Sequence, residues 1–282
     1  MHLPSRPPLD VPALVEFFGR RAVRGVEQVD GGAYCRSMAL DHGDGVVELV
    51  PDGGGVAVRF WLDDERDHGA AVLRARDLFD VDADPAAVLA ALGDDPLIGP
   101  LVRAAPGRRV PGVVDGGELA VRAVLGQQVS LAGAATLAAR LVAEHGRELE
   151  RPVGGVTHVF PAAAALAGAD AEGWAMPRTR ARALQAVCIA VAAGDVVLHG
   201  GVDADAARAA LLALPGIGPW TTEYVAMRAL RDPDAFLPTD LGVRHALERL
   251  GHDPASATEL AEPWRPYRAY ALQHLWASLA PA

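Results

Sequence analysis

Residues Leu211 to Tyr224 read Leu-Leu-Ala-Leu-Pro-Gly-Ile-Gly-Pro-Trp-Thr-Thr-Glu-Tyr. An apolar run ends, a Pro-Gly-Ile-Gly turn intervenes, and a second helix opens at Pro219, since proline suits a first helical position. Gly216 and Gly218 are expected to give positive φ and close backbone approach. The second helix then presents free N–H groups and its positive dipole end outward, which binds an anionic oxygen without a basic side chain. A phosphodiester has that chemistry. An ordinary helical hairpin closed by a glycine C-cap uses the same residues. Downstream, Leu237-Pro238-Thr239-Asp240-Leu241 puts one carboxylate at a helix start. Taken alone, Thr239 or Asp240 is the N-cap of that helix.

Other reactive groups are scarce. All 26 basic residues are arginine, so no lysine Schiff base can form. Two cysteines, Cys35 and Cys188, cannot build a disulfide framework, a four-thiolate zinc site or an iron–sulfur cluster. The nine histidines follow no metalloprotease spacing; His245 and His274 fall in helical segments and read as packed or surface residues. No Walker loop or Gly-x-Ser-x-Gly occurs.

The charge is uneven. Residues 1–100 hold 9 Arg against 18 Asp and Glu, while 101–200 are net +2 and 201–282 net −3, giving −10 overall. A protein that coats DNA by bulk charge is excluded; a local or dipole-based anion site is not. With 51% hydrophobic and 22% charged residues the chain buries a real core and is not disordered. No apolar run approaches the roughly 20 residues of a bilayer span. No apolar segment follows Arg6 as in a secretory signal. The expectation is a soluble, cytoplasmic protein.

The elements that must position these residues change character along the chain. Val11 to Val23 is an amphipathic helix with Pro12 near its start. Three strand segments follow, Tyr34–Leu40, Val46–Val50 and Val56–Leu62, separated by Gly/Asp turns, an antiparallel meander. Helices are expected from about Arg66 to Phe79 and from Pro85, capped by Asp84. Gly99 to Gly112, rich in Pro, Gly and Arg, reads as the passage between two units. Beyond it β signals nearly vanish. Helices are expected over Leu119–Leu125, Val129–Glu144, a short one from Pro161, Arg178–Ala193, up to Leu212 from Asp203 or Asp205, Pro219–Leu230, Leu241–Leu250 and Arg268–Leu279. The fold class is α+β: an N-terminal antiparallel sheet domain with helices (1–105), then a helical domain (106–282) carrying the hairpin at 212–220.

The hairpin followed by an Asp after an apolar-Pro run resembles the helix-hairpin-helix DNA glycosylases, and the chain resembles the AlkA-type DNA-3-methyladenine glycosylase II family. Arg21-Ala22-Val23 and the strands from Tyr34 match the family's N-terminal domain. Arg122 to Ser130 match its DNA-intruding loop, and Trp264 to Trp276 its last helix. The resemblance implies that Asp240 is catalytic, since a fixed carboxylate stabilises cationic character on the sugar and orients water. It implies a base pocket of Trp220, Tyr224, Trp276 and Phe17. Trp220 and Tyr224, four apart, share a helix face, and aromatic faces attract a cationic alkylated base. Core packing is the plainer use, above all for Phe17.

The base must be extruded from the duplex. The resemblance puts Gln128 in the gap it leaves, with Gln127 supporting the loop. It implies DNA contacts at Gly216, Gly218, Thr221, Ser130 and Arg244; Ser130 serves equally as a helix cap and Arg244 as solvated surface. The carbonyls of Leu212, Leu214 and Ile217 would hold a monovalent cation. No cofactor is required, and neither zinc nor an iron–sulfur cluster is expected. The partner is damaged double-stranded DNA, no membrane is involved, and the protein is a monomer. Lacking lysine, it is expected to hydrolyse the glycosidic bond of an N-methylated purine and leave an abasic site. Three other readings stay open: a glycosylase for hypoxanthine or oxidised guanine, a non-catalytic hairpin DNA-binding protein, and a methyl-transfer protein, which needs a reactive cysteine.

Overall fold

The computed structural model describes residues 1–279. Strand β1 (His2–Leu3) and helix α1 (Val11–Gly19) precede β2 (Glu27–Asp30), β3 (Ala33–Ala39), β4 (Asp44–Asp52) and β5 (Gly55–Leu62). Helices α2 (His68–Leu78), α3 (Pro85–Leu92), α4 (Gly99–Ala104), α5 (Gly116–Leu125) and α6 (Leu131–His145) follow. A hairpin of β6 (Arg147–Val153) and β7 (Val156–Val159) leads to α7 (Ala163–Ala167), α8 (Arg178–Ala193), α9 (Ala204–Leu212) and α10 (Pro219–Arg228). The chain ends with α11 (Leu241–Arg249), α12 (Ala257–Ala261) and α13 (Arg268–Ser278).

The expected meander is the centre of a five-stranded antiparallel sheet of order β1-β5-β4-β3-β2. Its edge strands are too short or too polar to show an alternating pattern. Five residues of β3, Tyr34 to Met38, are buried in succession. One face of the sheet packs with α1 and α2 around Phe18, Tyr34 and Phe79. The other carries Cys35 and Val46 against Leu149, Val156 and Val159 of the β6–β7 hairpin.

Three expectations need correction. The helix from Val11 ends at Gly19 rather than Val23: the amides of Arg21 and Ala22 turn to the Phe18 and Gly19 carbonyls three residues back, and the Arg21 carbonyl accepts from Arg122 Nη2 at 2.7 Å. The hairpin at 147–159 stands where no strand is expected. Its strands carry little apolar alternation and are ordered by the neighbouring sheet: Ser37 Oγ donates to the His158 carbonyl at 2.7 Å and Gly155 N to Gln28 Oε1 at 2.6 Å. Finally, 99–112 is not a bare passage. It contains α4, and the apolar cores do not divide at 105/106. Val88, Leu92, Ile98 and Val102 join the helical core, whereas Val114 joins the sheet core.

The two cores meet across a buried ionic cluster. Arg36 lies 2.6 Å from Glu118 and 3.5 Å from Glu27. Arg122 lies 2.9 Å from Glu27 and 2.8 Å from Glu118. Burial opposes charge on Glu118, but the Arg36 and Arg122 guanidiniums beside it hold its carboxyl below the usual range. Removing one member of a buried cluster strands the rest, at about 3–5 kcal/mol. Arg122→Met is therefore expected to lose about that much stability in urea unfolding. A loss under about 1 kcal/mol, the scale of exposed pairs, would show that the cluster does not hold the seam.

Candidate active site

A cleft of about 1460 Å³ opens between the two cores, lined by Phe17, Arg21, the 126–131 loop, the hairpin, Asp240 and Trp276. The hairpin forms because Gly216 takes φ +78° and a Cβ there would stand 2.6 Å from that of Ala183 on α8. Gly218, expected to share the positive φ, does not. It is the extended N-cap of α10, with φ −113° and ψ 178°. No side chain caps that helix, so its first turn keeps amides without helical partners, open to an anion.

Asp240 is the N-cap of α11 and more than a cap. Its Oδ1 accepts from the Val243 amide at 3.0 Å and from the Trp276 indole at 2.8 Å. Its Oδ2 accepts from the Trp220 indole at 2.9 Å. A carboxylate offers about four acceptor positions. Three are filled, so the group is fixed in orientation and Oδ2 keeps a position for water. Gly242 makes room for this arrangement: a Cβ there would lie 2.9 Å from Trp276 Cδ1 and 3.0 Å from Asp240 Oδ1.

Trp220 and Tyr224 stack at 5.2 Å and 7°, the shared face expected from their spacing. Phe17 also lines the cleft, but its ring face is already taken. The Arg21 guanidinium stands 3.7 Å from its centroid and that of Arg228 5.0 Å. Arg228 Nη1 donates to the Tyr224 hydroxyl at 2.7 Å. Burial alone would raise the Tyr224 phenol, but Arg228 and Arg21 draw it below its ordinary value. Burial lowers Arg21 itself to about 10.

At the opposite wall Gln128 is exposed and holds φ +56°, a left-handed conformation uncommon outside glycine that projects the residue from its loop. Gln127 supports the loop: its Nε2 donates to the Gly216 carbonyl at 3.1 Å and to Thr221 Oγ1 at 3.0 Å, and Arg180 Nη2 donates to its carbonyl at 2.6 Å. The Thr221 side chain is thus buried and engaged, which leaves its backbone amide, in the first turn of α10, as the group open to a DNA contact. Ser130 caps α6 through the Gly133 amide at 3.1 Å. Arg244 is exposed. Leu212 is exposed and Ile217 buried, and the Leu214 carbonyl accepts the Ile217 amide at 3.2 Å. His274 is buried, its imidazole pushed down to about 4 by desolvation. Burial likewise pushes the Cys188 thiol up to about 12.

Sequence reasoning missed four arginines. Arg21 stood out only as part of the match to the N-terminal domain and Arg228 carries no recognisable motif; only folding brings them beside one ring. Arg178 and Arg182 were legible. They lie in the first turns of α8, exposed and without a carboxylate within 4.0 Å among the described residues. Cations at the positive end of a helix dipole, four residues apart, oppose both the dipole and each other unless an anion lies across them.

Comparison with known proteins shows the family and the fold. A family model described as the AlkA N-terminal domain matches residues 1–115. The chain is 46% identical over 282 residues to a Mycobacterium tuberculosis (strain ATCC 25618 / H37Rv) protein named "Probable bifunctional transcriptional activator/DNA repair enzyme AlkA". That match covers 99% of this chain but 57% of the mycobacterial protein's length. It is 37% identical over 276 residues to DNA-3-methyladenine glycosylase 2 of Escherichia coli (strain K12), covering 96% of this chain and 94% of that protein. The fold is that of a solved 3-methyladenine DNA-glycosylase from Archaeoglobus fulgidus, with TM-score 0.83 at 22% identity over 98% of this chain and 97% of that one. A Clostridium acetobutylicum 8-oxoguanine glycosylase/lyase gives 0.76 at 18% identity over 99% and 97%.

The carboxylate geometry is open to test by nuclear magnetic resonance. The chain has five tryptophans. In Asp240→Ala the indole N–H signals of Trp220 and Trp276 are expected to move while those of Trp61, Trp174 and Trp264 stay. Loss of the cap should cost about 1 kcal/mol. Five unmoved signals would show that the indoles do not hold Asp240.

Proposed function

Because the chain belongs to the AlkA-type family of DNA-3-methyladenine glycosylases, we propose that it is a base-excision repair enzyme that hydrolytically releases N-methylated purines from duplex DNA. The observation that carries this reading is Asp240, fixed by two indoles and a helix amide at the foot of an aromatic cleft beside an uncapped helix start. The extruded nucleotide enters the cleft, its base against Trp220, Tyr224 and Trp276. The backbone amides at Gly218 and the first turn of α10 take a phosphate. Gln128 fills the gap left in the duplex.

The bond from C1′ to the base nitrogen breaks with its electron pair leaving on the base. Positive character develops on the sugar, and the Asp240 carboxylate stabilises it. Water on the free position of Oδ2 adds to C1′ and gives up its proton to the Asp240 carboxylate, which returns it to solvent. The products are a free base and an abasic site. Water is the sole co-reactant, and without a lysine the step goes no further than hydrolysis. Neutral carbonyls are a donor set that a hard cation accepts, and one lone pair of Leu214 remains; an ion held by Leu212, Leu214 and Ile217 would add positive charge behind the phosphate site. Cleft, carboxylate and hairpin lie on one chain, which supports action as a monomer. No helix among the described residues is long and apolar enough to cross a membrane.

Dimethyl-sulfate-treated duplex is the direct substrate. Wild type should release methylated purines, and Asp240→Asn should do so about 10²–10⁴-fold more slowly while still binding an abasic-analogue duplex. Binding without release by wild type would leave a DNA-binding protein rather than this enzyme. A separate measurement concerns Arg178 and Arg182. The double change to glutamine should weaken duplex binding and flatten the slope of log K against log salt by about 0.9 for each phosphate no longer neutralised. An unchanged slope would remove both residues from the interface.

A further inference from the structure

Stacking alone leaves an extruded base one freedom. Every base has an aromatic face, and a purine set between ring faces is held in its plane but not against rotation within it. The glycosidic bond ties it at N9 only. A base that swings about that end carries C1′ away from Asp240, and a misplacement of about 1 Å costs on the order of 10²-fold in rate.

The floor of the cleft carries a group suited to the other end of the base. Gln273 of α13 lines the cleft and is only 5% exposed. Its one hydrogen bond runs from Nε2 to the Met227 thioether at 3.7 Å, and sulfur is a weak acceptor. Its Oε1 receives no donor among the described residues, although buried polar groups are as a rule hydrogen-bonded. Gln273 lies one turn before Trp276 on α13, and Met227 one turn after Tyr224 on α10. Both rings are half-buried, whereas Gln273 and Met227 are buried. The amide therefore sits one turn deeper than the rings, where the edge of an inserted purine remote from its sugar arrives. With Nε2 turned to the sulfur, the carbonyl is the end left for the cleft. A purine methylated at N3 or N7 keeps donors on that edge: the C6 amine of adenine, or the N1–H and C2 amine of guanine.

We propose that Gln273 positions the substrate: its amide carbonyl accepts an N–H from the Watson–Crick edge of the extruded base and stops the base from turning between the aromatic faces, so that C1′ is held at Asp240. This rests on the glycosylase reading above and leaves its substrate class unchanged. A neutral acceptor suits the reaction. The base is cationic before the glycosidic bond breaks and neutral afterwards, so a carboxylate at this place would hold the substrate more firmly than the product and oppose the step. An amide orients the base with little of that penalty.

The test separates an acceptor from a packing group. Single-turnover release of methylated purines from dimethyl-sulfate-treated duplex is followed against protein concentration for wild type, Gln273→Met, Gln273→Leu and Gln273→Glu, with affinity for an abasic-analogue duplex measured alongside. Methionine has the reach and helix propensity of glutamine without its acceptor; leucine covers the case in which methionine disturbs the floor. Both should keep wild-type affinity for the abasic analogue, which has no base to hold. Both should lose about tenfold or more in maximal rate divided by half-saturating concentration, the scale of a hydrogen bond to a charged group. Glutamate keeps an acceptor and adds charge. Relative to its affinity for the abasic analogue, its half-saturating concentration should fall below that of wild type while its maximal rate falls too. Methionine and leucine variants as efficient as wild type would overturn the inference. So would a half-saturating concentration that does not fall in the glutamate variant, the mark of a packing role. A wild type that binds the abasic analogue and releases no methylated base would overturn the glycosylase reading instead.

Discussion

One guanidinium connects the parts of this protein that have to agree. Arg122 reaches Glu27 of the sheet, Glu118 one turn back on its own helix, and the carbonyl of Arg21. Three residues after it, α5 ends and the loop carrying Gln127 and Gln128 begins. The segment bearing Phe17 and Arg21 is thus referenced to the same atom group as the loop on the far side of the cleft. Ionic contacts of this kind add little to stability compared with a well-packed apolar seam. Their directional bonds do fix where each element sits, which an apolar seam leaves looser. The width of the cleft depends on that.

The carboxylate shows a second economy. An N-cap is among the most localised positions a side chain can occupy, because its oxygen, its backbone and the first helical turn constrain one another. Asp240 uses that localisation and adds two indole donors from different helices, α10 and α13. Those indoles also stand at the wall of the cleft, so the same rings that would face a base hold the group that would act on its sugar. A base that tilts Trp220 or Trp276 also tilts Asp240, and binding and orientation are coupled through two hydrogen bonds.

Much of this was legible before folding. Helix starts marked by Asp84, Asp203 and Asp240 all act as caps, since a short carboxylate before an apolar-periodic run has a local cause. The sheet's centre was visible from alternation, and the i,i+4 stacking of Trp220 on Tyr224 followed from helical geometry. What was missed has non-local causes. The β6–β7 hairpin is ordered by side chains more than a hundred positions earlier. Phe17 was placed in the pocket by the resemblance alone, and nothing in its neighbourhood revealed that Arg228 would share its ring. Thr221 lies next to the hairpin in sequence, but the helix turns it inward, onto Gln127. The division at 105/106 followed composition; the apolar cores take residues from both sides of it, Val88 to Val102 in the helical core and Val114 in the sheet core.

The seam has a consequence for the order of events during synthesis. β3 brings Arg36 into a buried setting, but its nearest carboxylate partner, Glu118, lies 82 residues further along the chain. The hairpin that covers Cys35 and Val46 comes later still. Until those residues emerge, Arg36 has Glu27 of the sheet, at 3.5 Å, but not Glu118, and Cys35 and Val46 on the opposite face are uncovered; long-range closure of this kind is slow. The N-terminal strands therefore wait, incompletely paired, for more than half the chain. That interval is where exposed strand and apolar surface can meet another nascent copy, so the contacts that make the cleft rigid are also the ones that make its assembly vulnerable.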